Sequence, residues 1–196
     1  MPLSAWVTGR VWRGSLAGVL LGLAPLAVCA WPAGAQATPA AALTQAQVRS
    51  ASVAAVVLGI LSYARWPGMS ADLRLCVLAP TQYADALLGQ PQVSAGRKVV
   101  SQRYMVDSPE LAHACDAIYT GVLTAEEKRG LYRQLNGQAV LSISEDDPEC
   151  VVGPMFCLDV SDAQVAFQVN LDSVARSGVR INPNVLKLGR SRAVQR

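Results

Sequence analysis

Cysteine is the residue type whose number and spacing carry the most chemistry in this 196-residue chain. Cys29 lies in an apolar N-terminal run, and Cys76, Cys115, Cys150 and Cys157 form an even set of four in the remainder. The four lack C-x-x-C spacing, so neither a thioredoxin-type redox pair nor an ordinary zinc site is indicated. In an oxidising compartment they imply two disulfides, with three pairings open. Spacing favours one pairing. Cys150 and Cys157 bracket Val151-Val152-Gly153-Pro154-Met155-Phe156, where Gly153-Pro154 can reverse the chain, and Cys76 is then left for Cys115. Loop entropy gives the short bridge at most about 2.5 kcal/mol and the long one at most about 4 kcal/mol.

Other reactive constellations do not assemble. The one histidine, His113, stands two residues before Cys115 on an expected helix, where side chains two apart do not face each other. A Ser-His-Asp triad would need the same histidine, and no serine lies in a nucleophile-elbow sequence. Glu145, Asp146, Asp147 and Glu149 lack the spaced ligands of an EF-hand and read as a solvated acidic turn. The glycines occur singly, without a dinucleotide or phosphate-loop pattern. The expectation is therefore no catalytic residue, no metal, no cofactor and no enzyme.

The N-terminus indicates where the cysteines would oxidise. Arg10 and Arg13 precede an uncharged apolar run from Leu16 to Ala30, and Ala35-Gln36-Ala37 places small residues where a signal peptidase reads them. Residues 1–37 are read as a secretory signal peptide, cleaved after about Ala37, with 38–196 as the mature domain. Cleavage removes two arginines and no acid, so Lys plus Arg falls from 17 to 15 against 14 Asp plus Glu. A net charge near +1, with both signs interspersed, does not suit a nucleic-acid binder. No second stretch is expected to cross a membrane, so the mature protein is expected to be soluble and extracytoplasmic.

The elements that must hold the cysteines follow from periodicity and punctuation. Val48, Ala51, Ala55, Leu58 and Leu61 mark an amphipathic helix over about 45–64, with Thr44 as cap and Pro67 ending it. A strand at 73–78 carries Cys76. Helices are expected at about 80–88 and from Ser108 into Cys115, with a strand at 97–104 between them. A strand at 117–120 precedes a helix opened by the capping box Thr124-Ala125-Glu126-Glu127 and stopped by Asn136-Gly137. A strand at 139–143 follows, then a hairpin of 156–160 with 164–169. Asn170 and Asn182-Pro183 open two last helices. This alternation predicts a single α/β domain: a mostly parallel sheet flanked by helices, with a C-terminal β-hairpin and helices.

Two segments are candidates for partner contact. Arg65 and Trp66 leave the first helix against the rigid Pro67, and Trp66 is either a core aromatic or an interface anchor. Lys187, Arg190, Arg192 and Arg196 make the C-terminal end basic, either a solvated tail or a contact for an acidic partner or lipid headgroups.

The order of several strings identifies a resemblance. Gly59-Ile60-Leu61-Ser62-Tyr63-Ala64-Arg65-Trp66-Pro67, Leu75-Cys76-Val77, Cys115-Asp116-Ala117-Ile118-Tyr119 and Glu149-Cys150-Val151-Val152-Gly153-Pro154-Met155-Phe156-Cys157-Leu158 together resemble the YfiR family. Val169-Asn170-Leu171-Asp172, Arg176-Ser177-Gly178-Val179 and Asn182-Pro183-Asn184-Val185-Leu186 continue it. The resemblance implies a periplasmic repressor that engages the periplasmic sensor region of a YfiN-type inner-membrane diguanylate cyclase and lowers cyclic-di-GMP synthesis. It also implies sequestration by a YfiB-type outer-membrane lipoprotein, dependence on disulfide state, and pairing of Cys76 with Cys115 and Cys150 with Cys157. A homodimer is a further candidate assembly, and nucleic acid is not a partner. The second functional reading is a periplasmic small-molecule-binding module, with its ligand at the carboxyl ends of the strands.

Overall fold

The computed structural model describes residues 43–68, 72–162 and 164–191; the expected signal segment and its cleavage point lie outside them. Thr44 opens α1 (Gln45–Ser62) with a reciprocal cap: its hydroxyl accepts the Gln47 N–H, and the Gln47 side chain accepts the Thr44 N–H. β1 (Ala64–Arg65) and β2 (Leu73–Leu78) follow, then α2 (Asp85–Leu88), β3 (Gln92–Ser94) and β4 (Arg97–Tyr104). The middle of the chain continues with α3 (Leu111–Ala114), β5 (Ala117–Thr120), α4 (Ala125–Gln134) and β6 (Leu141–Ser144). The hairpin β7 (Phe156–Val160) and β8 (Val165–Val169) leads to α5 (Leu171–Arg176), β9 (Arg180–Ile181), a 3-10 turn at Pro183–Val185 and α6 (Leu186–Ser191).

Seven of the described strands form one sheet in the order β3-β4-β2-β5-β6-β7-β8. The five central strands are parallel, and the two outer pairings, β3 with β4 and β7 with β8, are antiparallel. Taken in chain order, the five parallel strands run 2-1-3-4-5, a doubly wound order. The expected mixed α/β domain with a largely parallel sheet and C-terminal helices is the fold observed. β1 and β9 form a separate two-stranded ribbon, with Arg65 opposite Arg180.

Strand alternation divides the buried side chains between two faces. Leu73, Leu75 and Val77 of β2, Ala117 and Tyr119 of β5, Leu141 and Ile143 of β6, and Phe156 and Leu158 of β7 belong to the core beneath α1 and α2. Cys76 and Leu78 of β2 and Ile118 of β5 belong to the core beneath α3 and α4, with Leu111, Leu131 and Leu135. Phe156 meets Phe167 edge-on, with ring centroids 5.7 Å apart.

Several local expectations need correction. The helix expected at 80–88 is confined to Asp85–Leu88, where the Gln82 and Tyr83 N–H groups are taken by Glu145, and the one expected from Ser108 is confined to Leu111–Ala114, where the Ser108 carbonyl accepts the Gln134 amide. β3 was not anticipated; it pairs with β4 across a turn in which Ala95 and Gly96 both have positive φ, the conformation of a tight hairpin. The expectation that no second stretch could cross a membrane also fails on composition. α1 has the length and mean hydropathy, 18 residues at 1.2, of a short span. The structure instead packs α1 on the sheet through Val53, Val57, Ile60 and Leu61.

Candidate functional site

Both disulfides are formed, and both lie on the α4 side of the sheet. Cys76 points to that side from β2, and Cys115, the residue that ends α3, meets it with Cα atoms 5.7 Å apart. Cys157 of β7 stands in register with Ser144 of β6, which shares its face, and joins Cys150 across the same Cα separation of 5.7 Å. All four cysteines are buried, so a reductant must wait for local opening. Cys150 adopts a φ of +51°, a left-handed geometry unusual for a residue other than glycine. Its N–H donates to Asp147 Oδ1 at 3.2 Å, and Asp147 in turn pairs with Lys128 of α4. Gly153 presses its backbone against the Tyr132 ring, where a Cβ would come within 2.6 Å of a ring carbon. The short loop is thus seated on α4 by an ion pair and a face contact. Burial, with the Asp147 carboxylate nearby, holds the Tyr132 hydroxyl above the usual tyrosine range.

The acidic turn is only partly solvated, which corrects the reading for two of its four carboxylates, Glu145 and Asp147, while Asp146 and Glu149 are exposed. Glu145 accepts the N–H groups of Gln82 and Tyr83 and the Tyr119 hydroxyl, the last at 2.5 Å, while Asp147 is buried against Lys128. Burial first, then the Glu145 charge, raises the Tyr119 pKa well above its ordinary value. These bonds, with the close approach of Gly121 to Pro80, fill the region where β2 and β5 end. A Cβ on Gly121 would lie 1.8 Å from the Pro80 carbonyl oxygen. A cavity of about 590 Å³ lies nearby at the ends of β2 and β4, lined by Arg103, which donates to Ala79 and Thr81, by Glu127, which closes the α4 cap, and by the exposed Asp107.

Trp66 sits where two parts of the chain join. It is half-buried against the α1-side core, its Nε1 donates to the Asp116 carbonyl at 2.7 Å, and Arg97 lies over its ring at 5.9 Å. Asp116 directly follows the disulfide-bonded Cys115. Its carboxylate takes a two-pronged contact from Arg74, with Nη2 to Oδ1 at 2.8 Å and Nε to Oδ2 at 3.1 Å. That pairing holds the Arg74 guanidinium above its ordinary pKa. The Asp116 carbonyl also accepts the Leu141 N–H, so one residue connects β1, β2, β5 and β6.

The exposed Arg65 side chain donates to the carbonyls of Ser62 and Ala64. α6, which carries Lys187 and Arg190, packs on α1 where Gly59 faces Leu188. The ribbon of β1 and β9 and helix α6 therefore gather at the C-terminal end of α1. Lys187 is exposed; Arg192 and Arg196 lie outside the described residues, and His113 is exposed on α3. Sequence reasoning did not single out Asp116 or Glu145 as joints, since each acts on residues far away in the chain. A family description, YfiR/HmsC-like, matches residues 50–190, a span that contains all four cysteines, Asp116 and the Trp66 corner. The chain belongs to the YfiR/HmsC-like family.

Proposed function

We propose that this protein is a periplasmic negative regulator of a YfiN-type inner-membrane diguanylate cyclase, binding its periplasmic sensor region and lowering cyclic-di-GMP output. Family membership supports a periplasmic, non-catalytic regulatory role in diguanylate cyclase control, and the two disulfides suit an oxidising compartment. Residues 1–37 serve as the export signal and 38–196 as the acting domain. A YfiB-type outer-membrane lipoprotein relieves repression by sequestering the regulator.

Binding alone suffices as the mechanism. A regulator that prefers the inhibited cyclase shifts the population by its differential affinity, about 10⁴-fold for a full switch. The observation that carries the redox part of this reading is the joint at Asp116, which ties the Cys76–Cys115 bridge to the Trp66 corner through one hydrogen bond and one peptide link. Opening that bridge loosens the segment on which Trp66 is fastened, and Arg65, Lys187 and Arg190 share that end of the molecule. The test is cyclic-di-GMP measured in the native host with and without this gene, in backgrounds with and without the cyclase. Deletion should raise the nucleotide only where the cyclase is present. An equal rise in both backgrounds, or none, defeats the proposal.

A further inference from the structure

Helix α4 and the short disulfide loop enclose a cavity of about 580 Å³ on the side of the sheet away from α1. Small-ligand sites span about 300–1,000 Å³. The strands account for the hollow. Where β2 and β5 turn Cys76, Leu78 and Ile118 toward this side, β6 turns the smaller Ser142 and Ser144, leaving space between sheet and helix. Tyr132, Leu135, Val140 and Met155 make an apolar floor, with the Ser142 and Ser173 side chains as polar points. Val152 and Gly153, inside the Cys150–Cys157 loop, form one wall.

The rim carries charge of one sign. Arg129 and Arg133 come from α4 four residues apart, and Arg176 comes from α5. All three are exposed, and among the described residues none has an ion pair, unlike Lys128, whose ammonium is taken by Asp147. Three guanidinium groups around an apolar hollow repel one another until an anion lies between them. Arginine also presents the planar fork that suits a carboxylate.

We propose that this cavity binds a small organic anion, its aliphatic or aromatic body on the Tyr132–Met155 floor and its carboxylate or sulfonate head among Arg129, Arg133 and Arg176. The concave floor and single loop wall favour a small molecule over an extended acidic peptide. The site lies across the sheet from α1 and stands independently of the cyclase reading.

The test uses the oxidised, folded protein and 8-anilinonaphthalene-1-sulfonate as a fluorescent apolar anion. Saturable fluorescence is expected, displaced by decanoate but not by decanol or inorganic phosphate at equal concentration. The double variant Arg133→Gln with Arg176→Gln should weaken binding at least about tenfold with an unchanged melting midpoint. If that variant is less stable, Val152→Glu at the exposed rim gives the same loss by placing a carboxylate in the head group's position. Absence of saturable binding, displacement by decanol or phosphate as effective as by decanoate, or undiminished affinity in both variants overturns the proposal.

Discussion

Beneath α1 and α2 the sheet is covered by a continuous apolar layer, whereas beneath α3 and α4 a smaller cluster is supplemented by two disulfides. Among the described residues the first cluster contains 23 buried members and the second eight, two of which are Cys76 and Cys115. Hydrophobic stabilisation scales with buried area, at about 25 cal/mol per Å², so the second side has less of it. A cross-link acts differently, by restricting the unfolded chain. One side is held by what the folded state buries, while the other adds cross-links that restrict the unfolded chain, so the bonds a reductant can cleave all lie on the second side.

The largest test of that contrast is Phe156→Ala on the α1 side, expected to lose about 3–5 kcal/mol in urea unfolding. Both disulfides should remain intact by thiol titration. Next comes replacement of the bridges in pairs. Cys76→Ser with Cys115→Ser should lose at most about 4 kcal/mol, and Cys150→Ser with Cys157→Ser at most about 2.5 kcal/mol. In the first variant, amide exchange should accelerate in α3 and α4 while α1 stays protected. Equal melting shifts for the two pairs, or earlier loss of protection in α1, would break the comparison.

A smaller effect sharpens it at the joint between the sides. Trp66→Phe keeps an aromatic against the core but removes the donor to the Asp116 carbonyl, which still accepts from Leu141. A loss of about 1 kcal/mol is expected. A loss near 3 kcal/mol would mean that indole packing, rather than the hydrogen bond, fastens the corner.

The smallest effect is a pH dependence at the start of α4. Hydrogen bonds from the Thr124 backbone and hydroxyl hold the exposed Glu127 carboxyl below its ordinary pKa. A depressed folded pKa contributes stability above the unfolded value and loses it as pH falls through the folded value. Glu127→Gln should therefore flatten the acid limb of the melting curve slightly. An NMR titration placing Glu127 at or above the ordinary glutamate value would remove the cause.

Periodic residues made much of this structure legible. The β2 run Leu73–Leu78 and both threonine caps, Thr44 and Thr124, are local patterns, and local hydrogen bonds realise them. The short α2 was misread because Glu145 captures the N–H groups of Gln82 and Tyr83 from 62 or more residues away. No window along the chain contains both partners. The cavity was illegible for the same reason. Arg129, Ser142, Val152 and Arg176 come from four segments, and β6 alone shows nothing unusual until its serines lie beside Ile118 of β5 and Cys157 of β7.

The hairpin returns at both ends of the sheet have a consequence for self-association. An uncovered strand presents unpaired N–H and C=O groups on which another chain can build. Here β4 is flanked by β3 and β7 by β8, each neighbour adjacent in sequence, and the outermost β3 is three residues long. Such pairings need little loop closure, so they form more readily than the long crossovers of the parallel centre. The sheet can thus complete both margins before its middle, so the template left for intermolecular strand addition while the chain is still folding is the short β3 and the five-residue β8.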